Sequence, residues 1–338
     1  MPTRLTPTTN GTSLLDALAF IRDDLAAVDD EIFRRMDSPV RLIAEVAQHT
    51  LAAGGKRLRP ALAILAARAV GAVTPRVITF AAVTELTHTA TLIHDDIIDH
   101  AEFRRGRPAA PALWGSHISV LVGDYFFSQV FQAMSEDGLT RFMPAFSRAT
   151  ATLCQGEIEE IELRSKWDAT ETEYLQVIQH KTAELMRAAA ELGALAGGGS
   201  AEQGAALGVY GLNIGMAFQL VDDVLDVTAS QQQLGKPAGH DLLEGAVTLP
   251  VIRTLAVSPS ADRERVMHRL TASSANGAQH EAVAEMLSLV HRHDGVAYTR
   301  GVAEQYVAAA RAALTGLPRN EPTAILASVC DFVLARQA

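Results

Sequence analysis

Cysteine is nearly absent from this chain. Cys154 and Cys330 are the only two in 338 residues, far apart and each within an apolar stretch. That spacing excludes a disulfide framework and reads as two buried thiols in a reducing, cytoplasmic setting. Positive charge is also in deficit, with a formal net charge of -10, so nucleic acid is not an expected partner, although a local basic pocket stays compatible with that total. The first residues have no apolar run, and residues 1–15 read as a flexible tail rather than a secretory signal. Sustained period-two alternation is missing as well, which excludes a β-rich fold. There is no low-complexity linker or tandem repeat, and residues 16–338 are expected to form a single domain.

What is present is helical spacing. The hydrophobic content is 48%, Ala and Leu abound, and breaks fall at residues 54–55, 75, 106–108, 197–199, 235–237 and 250, where Gly or Pro occurs. The class is all-α. Residues 203–221 carry no charge and are long enough to suggest a membrane span. Asn213, Gln219 and the glycines at 204, 208, 211 and 215 favour a tightly packed core helix instead, so no transmembrane segment is expected.

Two apolar segments each end in Asp-Asp-x-x-Asp: DDIID at residues 95–99 and DDVLD at residues 222–226. On a helix Asp95 and Asp99 share a face, as do Asp222 and Asp226. Mg²⁺ takes hard oxygen ligands and commonly keeps positions for water or substrate phosphate, which a pair of carboxylates suits. A solvated acidic helix end is the alternative for either pentapeptide alone. Both clusters, however, follow apolar runs at 78–94 and 205–221 and so lie toward helix C-termini, where the macrodipole disfavours negative charge. Bound cations would offset that cost.

Basic residues accompany the acids. GGKRLRP at 54–60 places Lys56 and Arg59 on one helix face after a double-glycine break. It suits a diphosphate, with an exposed basic turn as the other reading. His88 precedes Asp95 by about two helical turns and shares its direction. It donates to a phosphate or is a satisfied core histidine. Arg104 and Arg105 follow the first acidic cluster; Lys181 and Thr182 sit in an apolar surrounding, and Lys236 lies beyond the second cluster. Gln219 lies near the face of Asp222, with a carbonyl oxygen that could meet positive charge.

In order, GGKRLRP, THTATLIHDDIID, FRRGRP, VLVGDY, HKTAEL, FQLVDDVLD, LGKPAGHDLLEG and TLP resemble the trans-prenyl diphosphate synthase family, most closely its bacterial octaprenyl-class members. The resemblance runs from about residue 16 to the end and implies an isoprenoid synthase helical bundle around a central apolar cavity, acting as a cytoplasmic homodimer. It implies that Lys56, Arg59, His88 and Arg105 bind isopentenyl diphosphate, while Arg104, Lys181 and Lys236 hold an allylic prenyl diphosphate with Mg²⁺. Asp95, Asp99 and Asp222 are implied as metal ligands, with Asp96, Asp223 and Asp226 acting behind them, and Thr182 and Gln219 as stabilisers of a carbocation. The family commonly has Lys where this chain has Ala246, so one contact to the allylic diphosphate is expected to be missing.

Thr91, Ala90 and Thr87 are small enough to leave a channel, and since bulky residues at those positions go with short products in the family the chain resembles, the resemblance implies a long product. Phe126, Phe127, Phe131 or Met134 could form a deeper floor, with ordinary core packing as the other reading. The alternatives are a shorter-chain (farnesyl or geranylgeranyl) synthase, a class I terpene cyclase, which needs no second diphosphate site, and a non-catalytic subunit of a two-component synthase.

Overall fold

Helix boundaries follow the local chemistry of the chain. The computed structural model describes residues 19–136, 138–228, 238–272 and 276–336. Along them run α1 (Arg22–Met36), α2 (Arg41–Ala52), α3 (Leu58–Val70), α4 (Pro75–Ile98), α5 (Ala110–Glu136), α6 (Met143–Leu163), α7 (Glu171–Ile178), α8 (Glu184–Ala196), α9 (Ala201–Thr228), α10 (His240–Leu243), α11 (Leu249–Val257), α12 (Ser260–Ala272), α13 (Asn276–Arg292), α14 (Gly295–Ala313) and α15 (Glu321–Ala335). Pro75, Pro250 and Pro322 sit in first turns, where the missing N–H costs nothing. Thr170 and Glu173 cap α7 reciprocally, each accepting from the other's backbone amide. One feature departs from the all-helical expectation for FRRGRP: Phe103–Arg104 and Arg107–Pro108 pair as a two-stranded antiparallel hairpin. Its loop residues, Arg105 (φ 52°) and Gly106 (φ 73°), both adopt the left-handed conformation a two-residue hairpin turn requires.

The longest helices are also the most enclosed. α4 packs on α5 and α3, α3 on α8, and α9 between α8 and α14. These central helices are apolar around most of their circumference, as expected of elements with neighbours on every side. α9 is the one described helix long and apolar enough to cross a membrane, yet 61% of that window is buried inside the protein. Its glycines explain the fit. A Cβ at Gly211 would stand 2.5 Å from the Met186 carbonyl oxygen, and one at Gly215 would stand 2.6 Å from Ala183 Cα. The backbones of α8 and α9 therefore meet without side chains between them, and the ends carrying Lys181 and Asp222 are held together.

Cysteine placement is half as expected. Cys330 is buried, but Cys154 is exposed and both are free thiols. The apolar stretch around Cys154 belongs to α6, where Leu153 takes the inward position and the next residue turns outward.

Replacing Gly215 by Val should lower stability by about 2–3 kcal/mol, since α9 must move off α8. Denaturant unfolding would register this as a lower midpoint with little change in slope.

Candidate active site

A cavity of about 860 Å³ opens among α3, α4, α6, the Gln179–Ala183 turn and α9. Its wall divides into an acidic pole and a basic one. α4 ends at Ile98 with Asp99 as its C-cap, so Asp95 and Asp96 occupy the last turn and all three acids face away from favourable helix-end charge. α9 brings Asp222 and Asp226 to the same cavity, and Glu157 and Glu160 of α6 join them with Asp241.

Each carboxylate of the first cluster has a distinct setting. Asp95 is buried, and burial, then Glu160 and Asp99, raise its pKa against the opposing pull of Lys181. Asp96 accepts from Arg104 Nε at 2.7 Å, yet burial still leaves its pKa raised. Asp99 pairs with Arg164. In the second cluster Asp222 Oδ1 lies 2.5 Å from Arg336 Nη2. Asp223 turns inward, accepting from the Tyr174 hydroxyl and from Gln219 Nε2 at 3.1 Å. Gln219 Oε1 accepts in turn from the Thr182 hydroxyl at 3.1 Å, forming a Thr182, Gln219, Asp223 chain.

Lys181 stands in the middle of the acids. Its Nζ is 2.8 Å from Glu157 Oε2 and 2.6 Å from Glu160 Oε2. Burial works against the ammonium, but Glu160, Glu157 and Asp95 together push its pKa up. The lysine is presented by a π-helical turn, Gln179–Ala183, an element frequently found at functional sites. Gly156 permits the approach, because a Cβ there would lie 2.4 Å from the Lys181 backbone nitrogen. Glu157 carries the cost of crowding: burial, then Asp95 and Glu160, push its pKa up to about 7.

The basic pole has the opposite difficulty. Arg59 is pulled down to about 10 by burial and by Arg105, and its Nε is buried with no hydrogen-bond partner. Burial, then Arg59, Arg105, Arg104 and Arg57, hold the His88 imidazole well below its usual range. Burial, Arg336 and Arg105 lower Lys56, whose ammonium lies 5.6 Å from the Phe218 ring centroid. Arg105 reaches this pole from the hairpin turn, with Arg105 Nη1 where a Cβ on Gly55 would be only 2.8 Å away. Arg57 is directed elsewhere, its guanidinium bound to Glu85 at 2.7 Å and Asp29 at 3.0 Å. Basic side chains crowded together, one with an orphaned buried N–H, form a receptor for an anion.

The cavity thus brings together Lys56, Arg59, His88, Arg104, Arg105, Lys181, Thr182, Gln219, Asp95, Asp99, Asp222, Asp223 and Asp226. Asp96 stands just behind its wall, on Arg104. Lys236 lies outside the described residues. Thr91 lines the cavity, whereas Ala90 and Thr87 are fully buried in the core. The hydroxyls of Thr84, Thr87 and Thr91 donate to carbonyls of their own helix, so this face of α4 presents mainly methyl groups. Phe126 and Met134 are fully buried, while Phe131 is 51% exposed and points away from any floor. Glu157, Glu160, Arg164 and Arg336 also line the cavity, and the sequence did not single them out. For the two glutamates, i,i+3 spacing on α6 was the available signal.

Among the described residues no three His, Cys, Asp or Glu side chains form a ready metal cage. The donor set is nevertheless all carboxylate oxygen, in pairs across a cavity, which fits a hard divalent cation that completes its shell with water or phosphate.

Known proteins match this chain over most of its length. The polyprenyl synthetase family model matches residues 40–288. The heptaprenyl diphosphate synthase component 2 of Geobacillus stearothermophilus is 38% identical over 93% of this chain and 96% of its own. A short chain isoprenyl diphosphate synthase of Methanothermobacter thermautotrophicus is 36% identical over 96% of this chain and 100% of its own. The crystal structure of a polyprenyl synthase from Caulobacter crescentus CB15, complexed with calcium and isoprenyl diphosphate, superposes with a TM-score of 0.90 at 36% identity, covering 98% of this chain and 100% of that one.

Because the folded pKa of Glu157 lies above its unfolded value of 4.5, its protonated form is the one folding favours. Its contribution to metal-free stability should be fully present below pH 4.5 and be lost as pH rises through 7. Glu157→Gln should flatten that decline in urea unfolding series run with a chelator at about pH 5 and pH 7.5.

Proposed function

The chain belongs to the polyprenyl synthetase family, and we propose that it is an Mg²⁺-dependent all-trans polyprenyl diphosphate synthase that elongates an allylic prenyl diphosphate with isopentenyl diphosphate to an octaprenyl-class product. The observation that carries this reading is the second pole. A cyclase needs to hold one diphosphate beside its metal site, whereas Lys56, Arg59, His88 and Arg105 offer a separate, mutually repelling group of donors for another. A non-catalytic partner subunit has no use for two intact acidic clusters.

We assign the metal to Asp95, Asp99 and Asp222, the last two releasing Arg164 and Arg336 to take it, with Asp96 and Asp223 behind them on Arg104 and on Tyr174 and Gln219 and Asp226 on the cavity wall. Bound there, Mg²⁺ would neutralise charge on the departing diphosphate oxygens. Arg104 and Lys181, with Lys236, hold the allylic diphosphate as its carbon to oxygen bond breaks. The isopentenyl alkene, anchored through the basic pole, then donates its electrons to the allylic cation and a carbon to carbon bond forms. The Gln219 and Thr182 oxygens face that cation. The proton lost from the new chain passes to the released diphosphate, so no side-chain base is consumed. Phe218, Leu153 and Met186 keep the reacting region apolar and limit water.

Length is set along α4. From Asp95 the face passes Thr91, Thr87 and Thr84 before reaching Phe80, about 22 Å away at helical rise. Phe80 is fully buried against Phe146, with ring centroids 5.9 Å apart, in the packed core behind the cavity, so the support for a long product is the row of small side chains between it and Asp95. A homodimer is supported by apolar residues left exposed on α5, among them Leu113, Leu121 at 63% and Phe131.

Asp95→Ala or Asp222→Ala should reduce Mg²⁺-dependent turnover by about three orders of magnitude or more, with circular dichroism unchanged. Full turnover in either variant would remove that residue from the metal site. Thr91→Phe, at the α4 position that lines the cavity, should shift the product to shorter chains in mass spectrometry; an unaltered distribution would exclude position 91 from length control.

A further inference from the structure

Arg164 closes α6 at the rim of the cavity, and nothing in the motifs points to it. The backbone leaves the helix there at φ -59°, ψ 127°, and Ser165 follows in the left-handed region at φ 58°. The Ser165 amide donates to the Gly245 carbonyl at 2.8 Å. A Cβ on Gly245 would stand 2.9 Å from Ser165 Oγ. The end of α6 and the 244–246 turn are therefore pressed together and held by a backbone hydrogen bond.

That turn is short of positive charge. Glu244, Ala246, Val247 and Thr248 line the cavity there, with no cation among them. Arg164 lines the same cavity and is the arginine tied to that turn through its neighbour's backbone. Its side chain is 30% exposed and ion-paired with Asp99. Asp99 is also one of the oxygens a divalent cation would take. Once it is taken, the guanidinium cannot discard its proton and keeps a planar fork of donors at the rim. Glu160 and Glu244 also face it, but the diphosphate held by the same cation offers a denser set of anionic oxygens to a guanidinium fork.

Resting on the elongation reading above, we propose that Arg164 is a ligand of the allylic diphosphate, parked on Asp99 before the site is loaded, and that it supplies the positive charge this chain lacks at position 246. The test is a double-mutant cycle on the full chain in Mg²⁺, comparing the unmodified protein, Arg164→Gln, Ala246→Lys and the double variant. Calorimetry gives the affinity for a non-ionisable allylic thiodiphosphate, and steady-state kinetics gives KM for each substrate. Arg164→Gln should weaken the allylic analogue about tenfold, as loss of a charged hydrogen bond predicts, with KM for isopentenyl diphosphate unchanged. Ala246→Lys should restore affinity in the Arg164→Gln background and add little to the unmodified chain, so the two changes are non-additive. Arg164→Lys, which keeps charge without the fork, should lose less than Arg164→Gln and serves if the latter melts early. Unchanged analogue affinity in Arg164→Gln, equal weakening of both substrates, or equal effects of Ala246→Lys in both backgrounds would each overturn the proposal. If the unmodified chain binds the analogue but does not elongate, the elongation reading fails while the cycle still reports on Arg164.

Discussion

Two groups of like charge facing one another across a single cavity are the constraint on which this structure depends. Burial raises Asp222, burial and neighbouring acids raise Asp95 and Glu157, and burial with neighbouring cations lowers Arg59, His88 and Lys56. Neither pole is at ease alone. Existing ion pairs relieve part of the strain, since Arg104, Arg164, Lys181 and Arg336 each sit on an acid. Ligands of opposite sign relieve more, and a metal diphosphate brings both signs at once. The helical scaffold holds that arrangement: close contact of α8 and α9 at Gly211 and Gly215 keeps the second acidic cluster near Lys181, and the packing of α4 on α3 and α8 brings in the first.

Much of this was legible in the chain because its chemistry lies in short, contiguous words. DDIID and DDVLD, GGKRLRP and the helical spacing of His88 gave the acids, the bases and their shared direction, and the breaks at 75, 197–199 and 250 fell at helix ends, while 106–108 is a hairpin and 235–237 lies outside the described residues. The glycine spacing in residues 203–221 pointed to close packing of a buried helix, and Gly211 and Gly215 do meet the backbone of the neighbouring segment, while Gly204 and Gly208 meet side chains of α8.

What was not legible depends on tertiary placement. Arg336 meets Asp222 and stacks 4.2 Å from the Phe218 ring centroid, although more than a hundred residues separate them and no motif connects them. Arg164 acquires meaning only because the 244–246 turn folds against Ser165. The inward face of α6 could not be told from its outward face near Cys154, so a thiol expected in the core is exposed. Phe131 likewise sits on a helix whose apolar residues point both ways, because one side of α5 is left exposed among the described residues.

The central claim is that one cavity serves two diphosphates, one leaving and one staying. Its most direct measurement is the stoichiometry of turnover: the protein is incubated with Mg²⁺, an allylic prenyl diphosphate and labelled isopentenyl diphosphate, and products are resolved by mass spectrometry while released diphosphate is counted. The account predicts one diphosphate released for each isopentenyl unit incorporated, with the product retaining its own diphosphate. Release of diphosphate with formation of a hydrocarbon and no consumption of isopentenyl diphosphate would contradict it.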